Sequence, residues 1–375
     1  MRIAVNTRFL LKNRLEGIGW FTYETMKRIT QGHPEHEFFF LFDRKFDPDF
    51  IFSNNIKPVV LKPQSRHPIL WFIWFEISVK KYIKKNKIDL FVSPDGYLPL
   101  KSNIPQIGVI HDINFFHFPQ TIPLLVRWYY NYFFPKFAHK ANRLATVSEY
   151  SKKDICQNYG IDPAKIDVVY NGANELYTPL SPKEIEGTQN LISHGAPYFV
   201  FVGAFNPRKN IVRLLLAFEL FKKSTSSKIK LVIVGEKMYG TSQMMGILKG
   251  MEFKDEVIFS GRLQVDRLKN VIGSALAMVF VSYYEGFGIP ILEAMKCDVP
   301  LVVSNCTSLP EVSGDAAIYV DPFNIESIAE GMIIISKDES LRKQLIVNAR
   351  IQRERFSWDS TANSLYKCMM KTVNQ

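Results

Sequence analysis

"ALAMVFVSYYEGFGIPILEAM", residues 275–295, changes character twice. It opens as an apolar run, crosses a short loop with glycines at 286 and 288, and turns helix-like from Pro290. An unbroken apolar run of this kind reads as a strand buried on both faces. Pro290 has a fixed φ and no N–H, which suits the first position of a helix. Strand, loop and helix in that order make one βα unit, so the "YYEGFG" loop lies at the carboxyl end of its strand.

The same alternation runs along the chain. Strand-like segments in the first half are "IAV", "FFFLF", "DLFVS", "QIGVIHD", "RLATVS" and "DVVYNG". Between them lie helical patterns such as "WFTYETMKRITQ", "WFIWFEISVKKYIKK", "LLVRWYYNYFFPKFAHKA" and "SEYSKKDICQNYG". Residues 174–197 are polar, contain Pro, Ser and Gly, and read as a linker. The pattern then restarts with "YFVFVG", "KLVIVG", "EVIFSG", "LAMVFVS", "PLVVS" and "AAIYVD". Strands alternating with helices predict parallel sheets covered on both faces. The expectation is an α/β chain of two doubly wound, Rossmann-like domains, 1–178 and 195–357, facing across a cleft, with a last helix over 358–375. Ligand residues should then sit just after strands.

Composition agrees with a globular chain long enough for two domains: 375 residues, 47% hydrophobic and 22% charged. Cys156, Cys297, Cys306 and Cys368 are scattered with no CxxC pair, which predicts reduced thiols in the cytoplasm. "MRIAVNTRFL" reads as a strand rather than a signal peptide, and "ILWFIWFEISV" is too short to span a bilayer. Residues 1–180 hold 24 Lys and Arg against 16 Asp and Glu, so most of the net charge of +11 lies there. A basic first half suits an anionic partner, although a solvated surface is the plainer alternative.

Four stretches carry candidate chemistry. In the opening one, Gly286 and Gly288 allow close backbone approach, and the start of the helix favours an anion. Glu285 precedes that helix and Glu293 is expected in its first turn. Two carboxylates beside an anion site make sense for a phosphate flanked by hydroxyls, that is, a nucleotide-sugar. A solvated loop charge and a helix-start glutamate are the plainer alternative. In "FVGAFNPRKN", Arg208 and Lys209 lie just past a strand, where a fork and a point charge can clamp a diphosphate. In "GVIHDINFFHFPQ", His111 ends a strand and can reach a sugar hydroxyl, while His117 sits among aromatics. In "LEGIGWFTYE", Gly17 and Gly19 precede a helix expected near Trp20. "VIVGEKMYG" lacks the GK[ST] of a P-loop, and "DPD" at 47–49 suits a surface turn better than a metal site.

"EGFGIPILEA" resembles the E-x7-E signature of the retaining family 4 glycosyltransferases, which have the GT-B fold. "FVGAFNPRKN", "SGRLQVDRLKNVIGSA", "ATVSEYSKKDI", "VVYNGAN", "IHDINFFHFP" and "FSWDSTANSLY" are similar to the family pattern, in order, over nearly the whole chain. The "PRKN" and "HDI…FP" forms look most like bacterial enzymes adding mannose or related sugars to surface polysaccharides. The resemblance implies that Glu285 holds the donor sugar, Glu293 the nucleotide ribose, and Lys209 with Arg208 the diphosphate. It implies that His111 contacts the sugar, that the amides of Gly286, Phe287 and Gly288 line sugar and phosphate, and that Gly17 permits close approach of its loop. Arg262, in "SGRLQVD", is placed with the donor-binding set, and the last helix is implied to cross back onto the first domain. Many members carry Arg after the glycine of the "VG" strand, where this chain has Ala204. Arg208 is the candidate replacement.

The expected function is therefore a retaining hexosyltransferase. It would move a mannose-type sugar from a GDP- or UDP-linked donor to a saccharide or lipid-linked saccharide. No metal or other cofactor is expected, because Lys209, Arg208 and the helix start can stabilise the leaving diphosphate. Nucleic acid is not an expected partner. A nucleotide-sugar 2-epimerase of the same fold is the rival enzyme, and a non-enzymatic carbohydrate or lipid binder the rival of another class. The aromatics and cations of "HPILWFIWF" and "FFHFPQTIPLLVRWYYNYFFPKF" suggest that the first domain rests on the anionic inner face of the cytoplasmic membrane. The same aromatics at helical spacing would equally fill a core.

Overall fold

The computed structural model describes residues 1–12, 14–236 and 242–374. The end of "VIVGEKMYG", residues 237–240, lies outside them. The chain divides into two compact units, Met1–Gly172 with Ser357–Gln375, and Ala173–Phe356.

The first unit is built on strands β1 (Arg2–Asn6), β2 (Glu37–Phe42), β3 (Ile56–Val60), β4 (Leu90–Ser93), β5 (Gln106–Val109), β6 (Arg143–Thr146) and β7 (Ile166–Val168). They form one parallel sheet in the order β3-β2-β1-β4-β5-β6-β7. β3 is not among the segments expected from the sequence. Its "IKPVV" carries Pro58, which an edge strand tolerates and a central one does not. The helix Gly17–Gly32 starts three residues before Trp20, with Glu16 as its cap residue. The helix Trp358–Val373 belongs to this unit. Ser357 caps it, and Thr361 donates to the Tyr170 carbonyl at 2.6 Å. A Cβ on Gly172 would lie 2.5 Å from the Trp358 nitrogen, so only glycine lets these two segments touch.

The second unit carries β8 (Tyr198–Val202), β9 (Lys230–Val234), β10 (Val257–Gly261), β11 (Ala277–Phe280), β12 (Leu301–Ser304) and β13 (Ala317–Val320). Their order is β10-β9-β8-β11-β12-β13, again all parallel. β8 and β11 are buried along their whole length, as a doubly covered sheet requires. Residues 174–197, read from sequence as a linker, instead belong to this unit and contain a helix, Pro182–Ser193. Ser181 and Glu184 cap each other reciprocally and Pro182 takes the first position. Gln189 then ties the helix to the Ser274 carbonyl at 3.0 Å. Few apolar residues line this helix, so its period is weak, and the cap "SPKE" was the available signal.

Both sheets change winding direction at one point, between β1 and β4 in the first and between β8 and β11 in the second. Loops leaving two adjacent strands in opposite senses open a crevice at the carboxyl edge, where such sheets bind ligands.

Candidate active site

The loops that follow β8 and β11 carry Arg208, Lys209 and Glu285, and the structure brings all three together. A single 3-10 turn, Pro207–Lys209, presents the two cations, and the Asn206 side chain caps it by accepting from the Arg208 amide. The loops are pinned to each other through the backbone. Tyr283 N–H donates to the Arg208 carbonyl at 2.8 Å, and Arg208 Nη1 donates to the Tyr284 carbonyl at 2.9 Å. Asn210, at φ +59°, donates to the carbonyls of Val281 at 2.9 Å and Pro322 at 2.8 Å.

Glu285 is the centre of this arrangement. Lys209 Nζ donates to Oε1 at 2.5 Å and Arg208 Nη1 to Oε2 at 3.1 Å. All three side chains are less than one-fifth exposed. Burial opposes the charge on Glu285, but Lys209 and then Arg208 outweigh it and hold the carboxyl down to about 2. Lys209 also lies over the Phe280 ring, 5.0 Å from its centroid. From sequence these cations are expected to face a diphosphate. Here they neutralise the carboxylate expected to face the sugar.

Glu293 behaves in the opposite way. The helix is Ile289–Lys296, with Gly288 as its cap residue, so Pro290 is its second residue and Glu293 its fifth. The expected places, first position and first turn, are therefore each corrected toward the carboxyl end. Gly288 adopts φ +97°, and a Cβ there would meet Leu309 at 2.9 Å. The cap thus falls on glycine, and the helix begins one residue before the proline. Burial pushes the Glu293 carboxyl up to about 7, and a hydrogen bond from the Tyr177 hydroxyl partly counters it. Tyr177 itself is buried.

The turn after β12 braces the "EGFG" loop. Ser308 Oγ donates to the carbonyls of Glu285 at 3.0 Å and Phe287 at 3.1 Å. Thr307 Oγ1 accepts from the Glu285 amide at 3.3 Å. Thr307 has φ +58°, an unfavourable backbone for a β-branched residue. Phe287 is buried edge-on against Phe356 at 5.5 Å, so its side chain is core while Gly286 and Gly288 flank it. Sequence reasoning missed Thr307, Ser308 and Tyr177, because single hydroxyl residues carry no periodic signal.

The remaining candidates are dispersed. Arg262 follows β10, two strands away from β8 in the sheet, and is exposed. In the first unit His111 follows β5. Its Nε2 lies 2.9 Å from the Pro94 carbonyl and therefore carries the proton. Burial lowers its pKa, so the neutral ring presents Nδ1 as an acceptor. His117 makes a different contact, Nε2 to both Asp154 oxygens at 2.9 and 3.0 Å. Gly17 is exposed, and a Cβ there would meet nothing within 4 Å. Asp47 caps the turn Pro48–Phe50 and pairs with Lys12 at 2.7 Å, as a surface turn would.

Comparison with known proteins identifies the family. Residues 16–175 match the family model "Glycosyltransferase Family 4" and residues 182–352 match "Glycosyl transferases group 1". The chain is similar to O-antigen chain mannosyltransferase B of Escherichia coli, 26% identical over 97% of this chain and 96% of that one. It is also similar to O-antigen chain mannosyltransferase RfbU of Salmonella typhimurium, 29% identical over 72% of this chain and 71% of the other. Among solved structures, Anabaena HepE in complex with UDP-glucose superposes with a TM-score of 0.76 at 17% identity, covering 99% of this chain and 100% of that one. Two parallel Rossmann-like sheets, the glutamate pair and the two family matches lead to one conclusion: the chain is a glycosyltransferase of family 4, with the GT-B fold.

Proposed function

We propose that this glycosyltransferase moves mannose from a nucleotide-diphosphate donor, GDP- or UDP-linked, to a saccharide or lipid-linked saccharide acceptor. The proposal includes retention at the anomeric carbon and work at the cytoplasmic face of the membrane. The relatives named as O-antigen mannosyltransferases support the sugar and the polysaccharide setting. The neighbour solved with UDP-glucose supports a nucleotide-sugar donor.

The observation that carries the reading is the cluster of Arg208, Lys209 and Glu285 at the crevice of the second sheet. A diphosphate entering there meets two fixed cations. Buried charges that need no reorganisation stabilise a leaving group far better than water does. Glu285, ionised and rigid, accepts hydrogen bonds from sugar hydroxyls. Glu293, when ionised, accepts from the ribose. His111 presents Nδ1 as an acceptor at the carboxyl end of β5, which suits a sugar hydroxyl. In the chemical step the acceptor oxygen bonds to the anomeric carbon as the bond to the diphosphate oxygen breaks. The acceptor proton passes to that departing phosphate on the same face, so configuration is kept and no protein nucleophile is used. Arg208 and Lys209 take the charge that develops on the diphosphate, the task a metal ion would otherwise serve.

Incubation with GDP-mannose and an oligosaccharide acceptor tests the reading. The expected product is an α-linked mannoside with release of GDP. Incubation with donor alone separates it from the 2-epimerase alternative, which would yield a new nucleotide-sugar instead.

A further inference from the structure

The first domain answers the question its aromatics raise. The helix Leu124–Lys140 buries Tyr129, Phe133, Phe134 and Phe137, so part of this stretch is core. A second set is left out. Leu124 is 80% exposed and Trp128 57%, and Leu125 and Tyr132 are about half exposed. Leu125, Trp128 and Tyr132 recur at the spacing of one helix face. Trp128 stacks on Tyr132 at 5.5 Å and touches Phe133 edge-on at 6.2 Å. Phe133 in turn meets Phe72 at 6.0 Å. Through this contact the face continues onto the helical segment from Pro68, where Phe72 and Ile69 are also exposed.

The charges that flank it along the chain are almost all of one sign. Between Asp112 and Glu149 there is no Asp or Glu at all, while Arg127 and Lys136 are exposed. Lys136 Nζ sits 3.4 Å from the Tyr132 ring centroid. From Lys62 to Lys87 the single carboxylate is Glu76, which is buried and accepts from the Leu100 amide at 2.5 Å. Against it stand Lys62, Arg66 and the lysines of "KKYIKKNK", residues 80–87. An exposed apolar face calls for an occupant. Two copies of this chain meeting there would bring like charges together. Trp and Tyr rings rimmed by Lys and Arg match a lipid–water boundary, where each cation near an anionic surface adds to the attraction.

The geometry points to the face of Ile69, Phe72, Leu124, Leu125, Trp128 and Tyr132 as a docking surface for an anionic lipid bilayer. This deepens the membrane location proposed above and is independent of the donor assignment. The test is co-sedimentation of the full chain with vesicles of phosphatidylglycerol and phosphatidylethanolamine, and with vesicles of phosphatidylcholine. Binding to the anionic vesicles at low salt, weakened at high salt, and little binding to phosphatidylcholine is expected. The double variant Leu124→Ser with Trp128→Ser should lose at least tenfold in partitioning while keeping its circular dichroism spectrum. Leu191→Ser, at an equally exposed leucine of the other domain, should partition like the parent. Three results would overturn the proposal: no binding to anionic vesicles, undiminished binding of the double variant, or a lipid-free dimer that the double variant dissolves. A nucleotide-sugar thermal shift on the same samples reads the donor site separately, so failure of one reading leaves the other standing.

Discussion

The two sheets place opposed charges at the same topological point. In the first, Arg8 follows β1 and Asp95 follows β4, and Nε donates to Oδ2 at 2.6 Å. In the second, Arg208 and Lys209 follow β8 and Glu285 follows β11. The surroundings differ. Arg8 is covered by Tyr97 at 4.1 Å, Phe9 at 4.9 Å and Phe75 at 5.4 Å, and Asp95 also accepts from Asn6 at 2.7 Å. Arg8 and Asp95 are at most 5% exposed at the side chain. In the second, Lys209 has the Phe280 ring beside it at 5.0 Å, and Arg208 is 19% exposed. One crevice is closed by aromatics and serves as a brace. The other sets two cations against one carboxylate and leaves Arg208 partly exposed, which suits an anion. A charge pair at a switch point is therefore weak evidence for a site until its cover is known.

The largest effect expected from this contrast is on stability. Arg8→Ala leaves Asp95 buried without its cation and should cost about 3–5 kcal/mol, read from urea unfolding. Lys209→Ala should cost less in folding, because Arg208 still faces Glu285. It should instead lower kcat/KM roughly 10–100-fold, in line with the ~1.5–3 kcal/mol of one charge-assisted hydrogen bond. A Lys209→Ala enzyme that melted early yet turned over normally would erase the distinction between the two crevices.

A pH series sharpens the contrast inside the second crevice. Glu285, held at about 2, adds stability that is present above its unfolded value of 4.5 and fades as pH falls toward 2. Glu293 has its pKa raised from 4.5 to about 7, so the folded state holds a proton that the unfolded state releases. Stability then falls as pH rises from 4.5 to 7, while the ionised form that accepts ribose hydroxyls appears. Donor affinity should rise between pH 6 and 8 in the parent, and Glu293→Gln should flatten that rise. An unchanged profile in the variant would remove Glu293 from the nucleotide site. The smallest effect is at Thr307. Thr307→Gly relieves a left-handed backbone and should raise stability by less than about 1 kcal/mol, while the looser Glu285 amide lowers kcat a few-fold.

Much of this was legible in the residues, for identifiable reasons. Apolar runs such as "YFVFVG" and "LAMVFVS" announce doubly covered strands, and the loops after them gave Arg208, Lys209 and Glu285. β3 escaped because Pro58 contradicts a central strand and is harmless at an edge. The helix Pro182–Ser193 escaped because few apolar residues mark it, although its capping pair stands in the sequence. The proximity of Lys209 to Glu285 spans 76 positions in the chain and follows only from the sheet order. Thr307 and Ser308 act through hydroxyls on a backbone turn, which no spacing rule reports.

The central claim is that Arg208 and Lys209, fixed on Glu285, receive the diphosphate of a nucleotide-sugar. Calorimetric titration of the parent and of the Arg208→Ala, Lys209→Ala double variant with GDP-mannose and UDP-glucose tests it most directly. The account predicts that the parent binds at least one of these donors and that the double variant binds it at least a hundredfold more weakly, consistent with loss of two charge-assisted contacts. Equal affinity in the two proteins, or no binding of either donor by the parent, would contradict it.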